Sequence, residues 1–378
     1  MKTFGIYIHI PFCVRKCGYC DFNSIAFSDY EQIEKYLTAL EKDILLSADM
    51  LAGYKIKSIY IGGGTPSVIK AEGIGRLLDI IRREADLVED TEITIEANPS
   101  SVTASKAESW FRSGINRVSV GVQSFNQSFL DLLQRAHTAE QAFKAIETFR
   151  KNGFKNVSID LIYGMPGQTL DDWVDDLGKA AGCDIGHISL YDLKIEKGTP
   201  FYEIRDSLKI ADSELQIKMY DKACCILGEK GFQHYEISSF ARPGKMSGHN
   251  RIYWRNQSYA GFGAGAYSYL NGQRYGRVND IKEYINQVSS GEIEKCNSES
   301  LAPEQRLGET IMLRLRLLEE GVDISSLEGD MGCKLDDKRM ALFQEMAEHG
   351  FFEVVKGRYI LTQRGILNYD TIAGEFLG

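Results

Sequence analysis

The chain has 378 residues, 43% of them hydrophobic and 26% charged, and its formal net charge is −9. That composition belongs to a folded globular protein, and the acidic balance argues against broad electrostatic attraction to nucleic acid. No apolar run approaches the ~20 residues that cross a bilayer, and no secretory h-region precedes the strand-like pattern that starts by Phe4. The expected location is cytoplasmic.

Six short runs rich in Ile, Val and Tyr, each followed by turn residues, read as strands: 4–10, 57–62, 92–98, 117–122, 157–163 and 187–193. Amphipathic stretches near 30–50, 72–85, 103–113, 139–152 and 171–181 read as the intervening helices. Thr169 and Asp171 offer N-cap oxygens to the last of these, and Gly153 stands where a C′ glycine belongs. Such alternation implies parallel strands joined by right-handed crossovers. Six units fall short of the eight in a closed barrel. The expected fold is therefore α/β, a partial, six-unit parallel β/α barrel over residues 1–235, with a doubly wound sheet as the alternative.

The pattern weakens after a helix at 212–230, and residues 236–300 form a Gly- and aromatic-rich segment. Helical patterns return at 303–318 and 336–349, before a hairpin in FFEVVKGRYILT that turns at Lys356–Gly357. Residues 301–378 thus read as a smaller helical, winged-helix-like region. With nine Lys/Arg against fourteen Asp/Glu over 303–378, a structural or substrate-covering role fits it better than DNA binding.

Eight cysteines in so long a chain are not a disulfide framework. Cys183, Cys224, Cys225, Cys296 and Cys333 are scattered and read as small packed side chains. Cys13, Cys17 and Cys20 instead crowd into CVRKCGYC directly after the first strand, at the carboxyl end where parallel folds place chemistry. Pro11 ends strand pairing, and Gly18 gives the loop backbone freedom. Thiolates suit iron–sulfur clusters or zinc. A structural zinc site usually takes four ligands in two pairs; no second pair is present, and His9 lies within the strand. Three thiolates leave one iron of a 4Fe–4S cubane open to an exogenous ligand.

Gly62-Gly63-Gly64-Thr65-Pro66 follows the second strand and allows close backbone approach to a ligand. No Gly-Lys-Ser/Thr follows, so it is not a P-loop; a plain tight turn is the other reading. Glu96, Gln123 and Asp160 lie at or near strand ends, and Arg135 follows the fourth strand. Singly each serves equally well as a cap or a rim ion pair; together they converge on one rim.

The triplet within IYIHIPFCVRKCGYCDF resembles the signature of radical S-adenosylmethionine enzymes. The lead-in IHIPFC narrows the resemblance to the branch of oxygen-independent coproporphyrinogen III oxidase and its haem-chaperone relatives, and it covers nearly the whole chain. It implies a 4Fe–4S cluster on Cys13, Cys17 and Cys20, and S-adenosylmethionine on Tyr7, Gly63, Gly64, Thr65, Glu96, Gln123, Arg135 and Asp160. Glu96 suits a ribose hydroxyl, because a carboxylate accepts two hydrogen bonds. A low-potential electron donor is also implied, and the number of S-adenosylmethionine molecules stays open.

Three features separate the two branches. Phe22 stands where the oxidase pattern has a further cysteine, and the oxidase's N-terminal extension has no counterpart before the first strand. Residues 248–254, GHNRIYW, match the HNxxYW pattern of the haem-chaperone branch. That match implies haem binding by His249, Asn250, Tyr253 and Trp254, with His249 a candidate axial ligand and Arg251 or Arg255 a propionate partner. The implied function is a haem chaperone that serves membrane-bound respiratory haem proteins, with transient membrane contact and no nucleic-acid partner. A coproporphyrinogen III dehydrogenase is the enzyme alternative, and a zinc- or cluster-stabilised interaction protein the structural one.

Overall fold

The computed structural model describes residues 3–377. Strands Thr3–Ile10 (β1), Lys55–Gly63 (β2), Asp86–Ala97 (β3), Arg117–Gln123 (β4), Val157–Tyr163 (β5) and His187–Asp192 (β6) pair in chain order, every pair parallel. Helices Tyr30–Leu46 (α1), Ala71–Glu84 (α2), Ala104–Arg112 (α3), Ala139–Lys151 (α4) and Leu170–Gly182 (α5) form the crossovers, and Ser213–Glu229 (α6) follows β6. This is the partial β/α barrel that the alternation implies. The strand β3 starts six residues earlier than its apolar run, because Asp86 and Leu87 pair with Lys55 and Ile56 ahead of a register shift.

Local chemistry fixes the helix ends. Thr169 caps α5 in a reciprocal box with Asp172, so the partner is Asp172 rather than Asp171. Gly153 takes a φ of 94° just past α4, as a C′ glycine should.

The two faces of the parallel sheet differ in chemistry. Ile6, Ile8, Ile59, Ile61, Ile93 and Ile95 are buried in the main apolar core. The alternate positions are polar and lie in register: Tyr7 beside Tyr60, Tyr60 beside Thr94, Thr94 beside Arg117, and Glu96 beside Ser119. Ser119 continues to Ser158, and Ser158 to His187. Side chains alternate across a strand, so these residues share one face.

Beyond β6 the sheet ends in two antiparallel strands, Gln233–Glu236 (β7) and Ser239–Ala241 (β8). At the other edge the Gly- and aromatic-rich segment joins the same sheet. Its short helix Gly248–Trp254 (α7) leads into Tyr259–Phe262 (β9), a further strand parallel to β1. Tyr267–Leu270 (β10), Gln273–Gly276 (β11) and Cys296–Ser300 (β12) extend that edge antiparallel, and Ile281–Ser290 (α8) lies between β11 and β12.

The C-terminal region has its own core around Ile311, Leu315, Leu327, Phe343 and Phe376. It comprises helices Pro303–Leu315 (α9), Ile324–Met331 (α10) and Asp337–Glu348 (α11), with a small sheet of Val322–Asp323 (β13), Phe352–Val355 (β14) and Arg358–Leu361 (β15). Lys356 and Gly357 both have positive φ, 51° and 80°, and form the hairpin turn. Among the described residues no helix is long and apolar enough to cross a membrane.

Candidate functional site

The cysteine loop leaves β1 through Pro11 and folds back on itself. Phe12–Cys13 pairs with Ile25–Ala26, and the amide of Phe27 donates to the carbonyl of Cys13 at 3.1 Å. Cys13 and Cys17 are 8% and 7% exposed, Cys20 is partly exposed, and all three are free thiols. Burial pushes the Cys13 and Cys20 thiols up, so without a cationic partner they hold their protons. Donors already face two sulfurs: Thr65 Oγ1 lies 3.4 Å from Cys13 Sγ, and Arg135 Nη1 lies 3.4 Å from Cys17 Sγ. Gly18 is required for a different reason than loop freedom. A Cβ there would stand 2.7 Å from the Phe201 ring.

The glycine run after β2 lies against this loop. Gly63 has a φ of 115°, and its amide donates to Glu96 Oε2 at 3.1 Å. A Cβ on Gly64 would meet Phe12 O at 2.8 Å and Cys13 Sγ at 3.0 Å, so the cradle admits only glycine without displacing a cysteine. Glu96 also accepts from Tyr60 at 2.7 Å, and burial pushes its carboxyl up to about 7. Asp160 accepts from Ser119, and its carboxyl is raised too, chiefly by burial.

Tyr7, Gly63 and Glu96 line a cavity of about 300 Å³ together with His9, Phe22, Asn23, Tyr253, Tyr259, Gly265 and Tyr267. Gln123 sits at a register shift of β4 with a φ of 65°. Arg135 donates to Gly121 O at 2.9 Å while reaching Cys17, and its buried Nε has no partner among the described residues. Gln123, Arg135 and Asp160 do not line that cavity, and Thr65 is placed by its contact with Cys13.

The HNxxYW residues separate. Tyr253 reaches the cavity, whereas His249 lies behind it, 1% exposed, with Nδ1 2.8 Å from Ser58 Oγ and Nε2 2.9 Å from the Tyr253 hydroxyl. Burial, with the nearby Arg117 charge, lowers this imidazole to about 3, so it is neutral. The amides of Gly248 and His249 donate to the Glu92 carboxylate at 3.0 and 3.1 Å, anchoring α7. Trp254 faces the C-terminal region, under the Arg316 guanidinium at 4.2 Å, and Arg251 and Arg255 both pair with Glu320. Glu320 therefore occupies the guanidinium groups read as propionate partners.

Sequence reasoning passed over His9, Tyr60, Asn23, Tyr259 and Tyr267 as site residues. His9 joins the Tyr7 hydroxyl, at 3.0 Å, to the cysteine loop through Asn23 O, at 2.8 Å. The signal for His9 and Tyr60 is strand parity: they alternate with buried isoleucines, as Tyr7 and Ser58 do.

The profile of the Radical SAM superfamily matches residues 7–180. The chain is 34% identical over 375 residues to the heme chaperone HemW of Bacillus subtilis, covering 98% of each chain. It is 33% identical to HemW of Lactococcus lactis, covering 100% of this chain and 98% of that one. The chain belongs to the radical SAM superfamily, in its HemW family. Among solved structures, coproporphyrinogen III oxidase (HemN) from Escherichia coli superposes with a TM-score of 0.86, at 24% identity, over 99% of this chain and 90% of that one. The HemW family member described here thus shares its fold with that oxidase.

The residues present fit the groups that the superfamily implies. The donors are three soft thiols beside a glycine cradle that a methyl group would fill. Among the described residues no three His, Cys, Asp or Glu side chains meet closely enough to share one ion. Thiolates on a cubane each bind a different iron and need not meet at one point.

Proposed function

We propose that the protein is a haem chaperone that carries a 4Fe–4S cluster and S-adenosylmethionine and passes haem to respiratory haem proteins. The observation that carries this reading is the likeness to named heme chaperones along 98% of both chains. Phe22, in place of the further cysteine of the oxidase pattern, supports it against a coproporphyrinogen oxidase.

In this reading Cys13, Cys17 and Cys20 hold the cluster, and Arg135 and Thr65 offset charge on two of its sulfurs. Gly63, Gly64 and Thr65 receive the methionine end of S-adenosylmethionine. Glu96 takes a ribose hydroxyl, and Tyr7, Gln123 and Asp160 complete that site. When bound, the pair supplies one-electron reductive chemistry. His9 fixes the Tyr7 hydroxyl, and the burial of Cys13 and Cys17 limits the access of water to two of the three thiolates. Haem is received at the open mouth of the cavity, on the side of Tyr253 and beyond the S-adenosylmethionine site. Residues 1–235 serve as the cofactor unit, 236–300 as the haem-contacting segment and 301–378 as a cover. The working location is cytoplasmic, with a low-potential electron donor and transient membrane contact at delivery.

The test is anaerobic reconstitution followed by haem titration with and without the cluster. About four iron and four sulfide per chain, with saturable haem uptake, are expected. Zinc uptake without sulfide, or conversion of coproporphyrinogen III when cofactor and reductant are supplied, would overturn the reading.

A further inference from the structure

His249 and Tyr253 stand four residues apart on α7 and so share one face of the helix. Only Tyr253 reaches the cavity. The His249 ring is stacked on Tyr60, 5.1 Å between centroids, and a Cβ on Gly5 would stand 3.4 Å from its Cε1. A neutral imidazole has one donor and one acceptor, and both are engaged, by Ser58 and by Tyr253. For Nε2 to reach a ligand, the Tyr253 hydroxyl would have to leave. Yet that ring is held edge-on by His249 at 4.8 Å and by Tyr259 at 4.6 Å.

The same geometry fixes what Tyr253 presents. If Ser58 donates to Nδ1, Nε2–H donates to the phenol oxygen and the phenol proton is free for the cavity. In the other tautomer Nδ1–H donates to Ser58, the phenol donates to Nε2, and its remaining lone pair is free. Either way one hydrogen-bonding position of a fixed hydroxyl points onward.

We infer that Tyr253 is the residue through which the HNxxYW motif touches its ligand, and that His249 is a positioning residue acting only through the Tyr253 hydroxyl. The inference rests on the haem-chaperone reading and takes haem as the ligand.

The test uses the cluster-loaded full chain as wild type, His249→Gln, Tyr253→Phe and the double variant, each titrated with ferric haem by Soret absorbance and electron paramagnetic resonance. Each single variant is expected to bind haem about tenfold more weakly, the loss of one fixed hydrogen bond. The double variant should be within about twofold of Tyr253→Phe, because the two act as one unit. The Soret maximum and spin state should be unchanged in His249→Gln. A Soret or spin-state change on His249→Gln in both backgrounds would make the imidazole an iron ligand and overturn the inference. Losses that multiply in the double variant, or a Tyr253→Phe protein that binds haem like wild type, would overturn it equally. A wild-type protein that takes up no haem overturns the chaperone reading first. Tyr253→Phe keeps the ring packing; should His249→Gln not fold, Ser58→Ala loosens the imidazole from behind and carries the same expectations.

Discussion

Glu96 gives the site a measurable pH signature. Its carboxyl is pushed from an ordinary 4.5 up to about 7 by burial, with the Asp160 charge adding to the rise. A carboxyl whose folded pKa lies above its unfolded value binds protons more readily in the native state, so stability falls as pH climbs between the two values. The full rise corresponds to about 3 kcal/mol, and partial exposure to the cavity trims this to ~2 kcal/mol. Glu96→Gln removes that penalty and keeps an acceptor for Tyr60. It also loses the second acceptor facing the Gly63 amide, at a cost of about 1 kcal/mol. The variant should therefore be less stable than wild type by ~1 kcal/mol near pH 5 and more stable by ~1 kcal/mol near pH 8. Urea unfolding of the cluster-free protein across that range measures the crossing. Parallel stability curves for the two proteins would refute the placement of a strained carboxyl in the cavity wall.

Three further outcomes follow from the same geometry. Asp43 is fully buried and accepts from Arg277 at 2.8 Å and Tyr284 at 2.9 Å, so Asp43→Ala, which strands the buried guanidinium, should cost ~3–5 kcal/mol in urea melts; a loss under ~1 kcal/mol would contradict it. Gly64→Ala should cut cluster content at least several-fold by iron and sulfide analysis, because its Cβ would press on Phe12 O and Cys13 Sγ while the overall fold persists. Cys17→Ala should abolish cluster assembly, since two thiolates retain a cubane poorly, and normal visible absorbance after reconstitution would count against the ligand set.

Much of the fold was legible because each parallel strand carries a dense apolar run and each helix a clean 3.6-residue stripe. What escaped were elements too short or too polar to show a period. The strand β9 is only Tyr-Ala-Gly-Phe, and pairing between β1 and β10 makes it a strand. Its neighbour β10 is joined to β11 by Asn271–Gly272, φ 51° and 80°, a recognisable hairpin pair flanked by strands of four residues. The candidate site was indicated by its motifs, and its inner wall was not. Fully covered parallel strands ordinarily read as unbroken apolar runs. Here Tyr7 and His9 alternate with Ile6, Ile8 and Ile10, and Ser58 and Tyr60 with Ile59 and Ile61. That parity marks a barrel whose interior face is polar.

The HNxxYW string shows how a linear motif can gather residues that the fold sends to different places. Read linearly, its four named residues form one surface. On a helix, positions 249 and 253 fall on one face, and 250 and 254 are rotated about 100° from them. The first face meets the barrel interior. Trp254 instead lies under Arg316, which pairs with the buried Glu236 of β7 at 3.4 Å, and Arg251 and Arg255 clamp Glu320 beyond α9. The helix α7 therefore joins the cavity floor to the C-terminal region. If the proposed haem site holds, a substitution at Trp254 that impairs haem handling would report on that docking, and one at Tyr253 on contact. The two are separable because truncating Trp254 should lower the unfolding midpoint of the whole chain, while Tyr253→Phe leaves every ring contact in place.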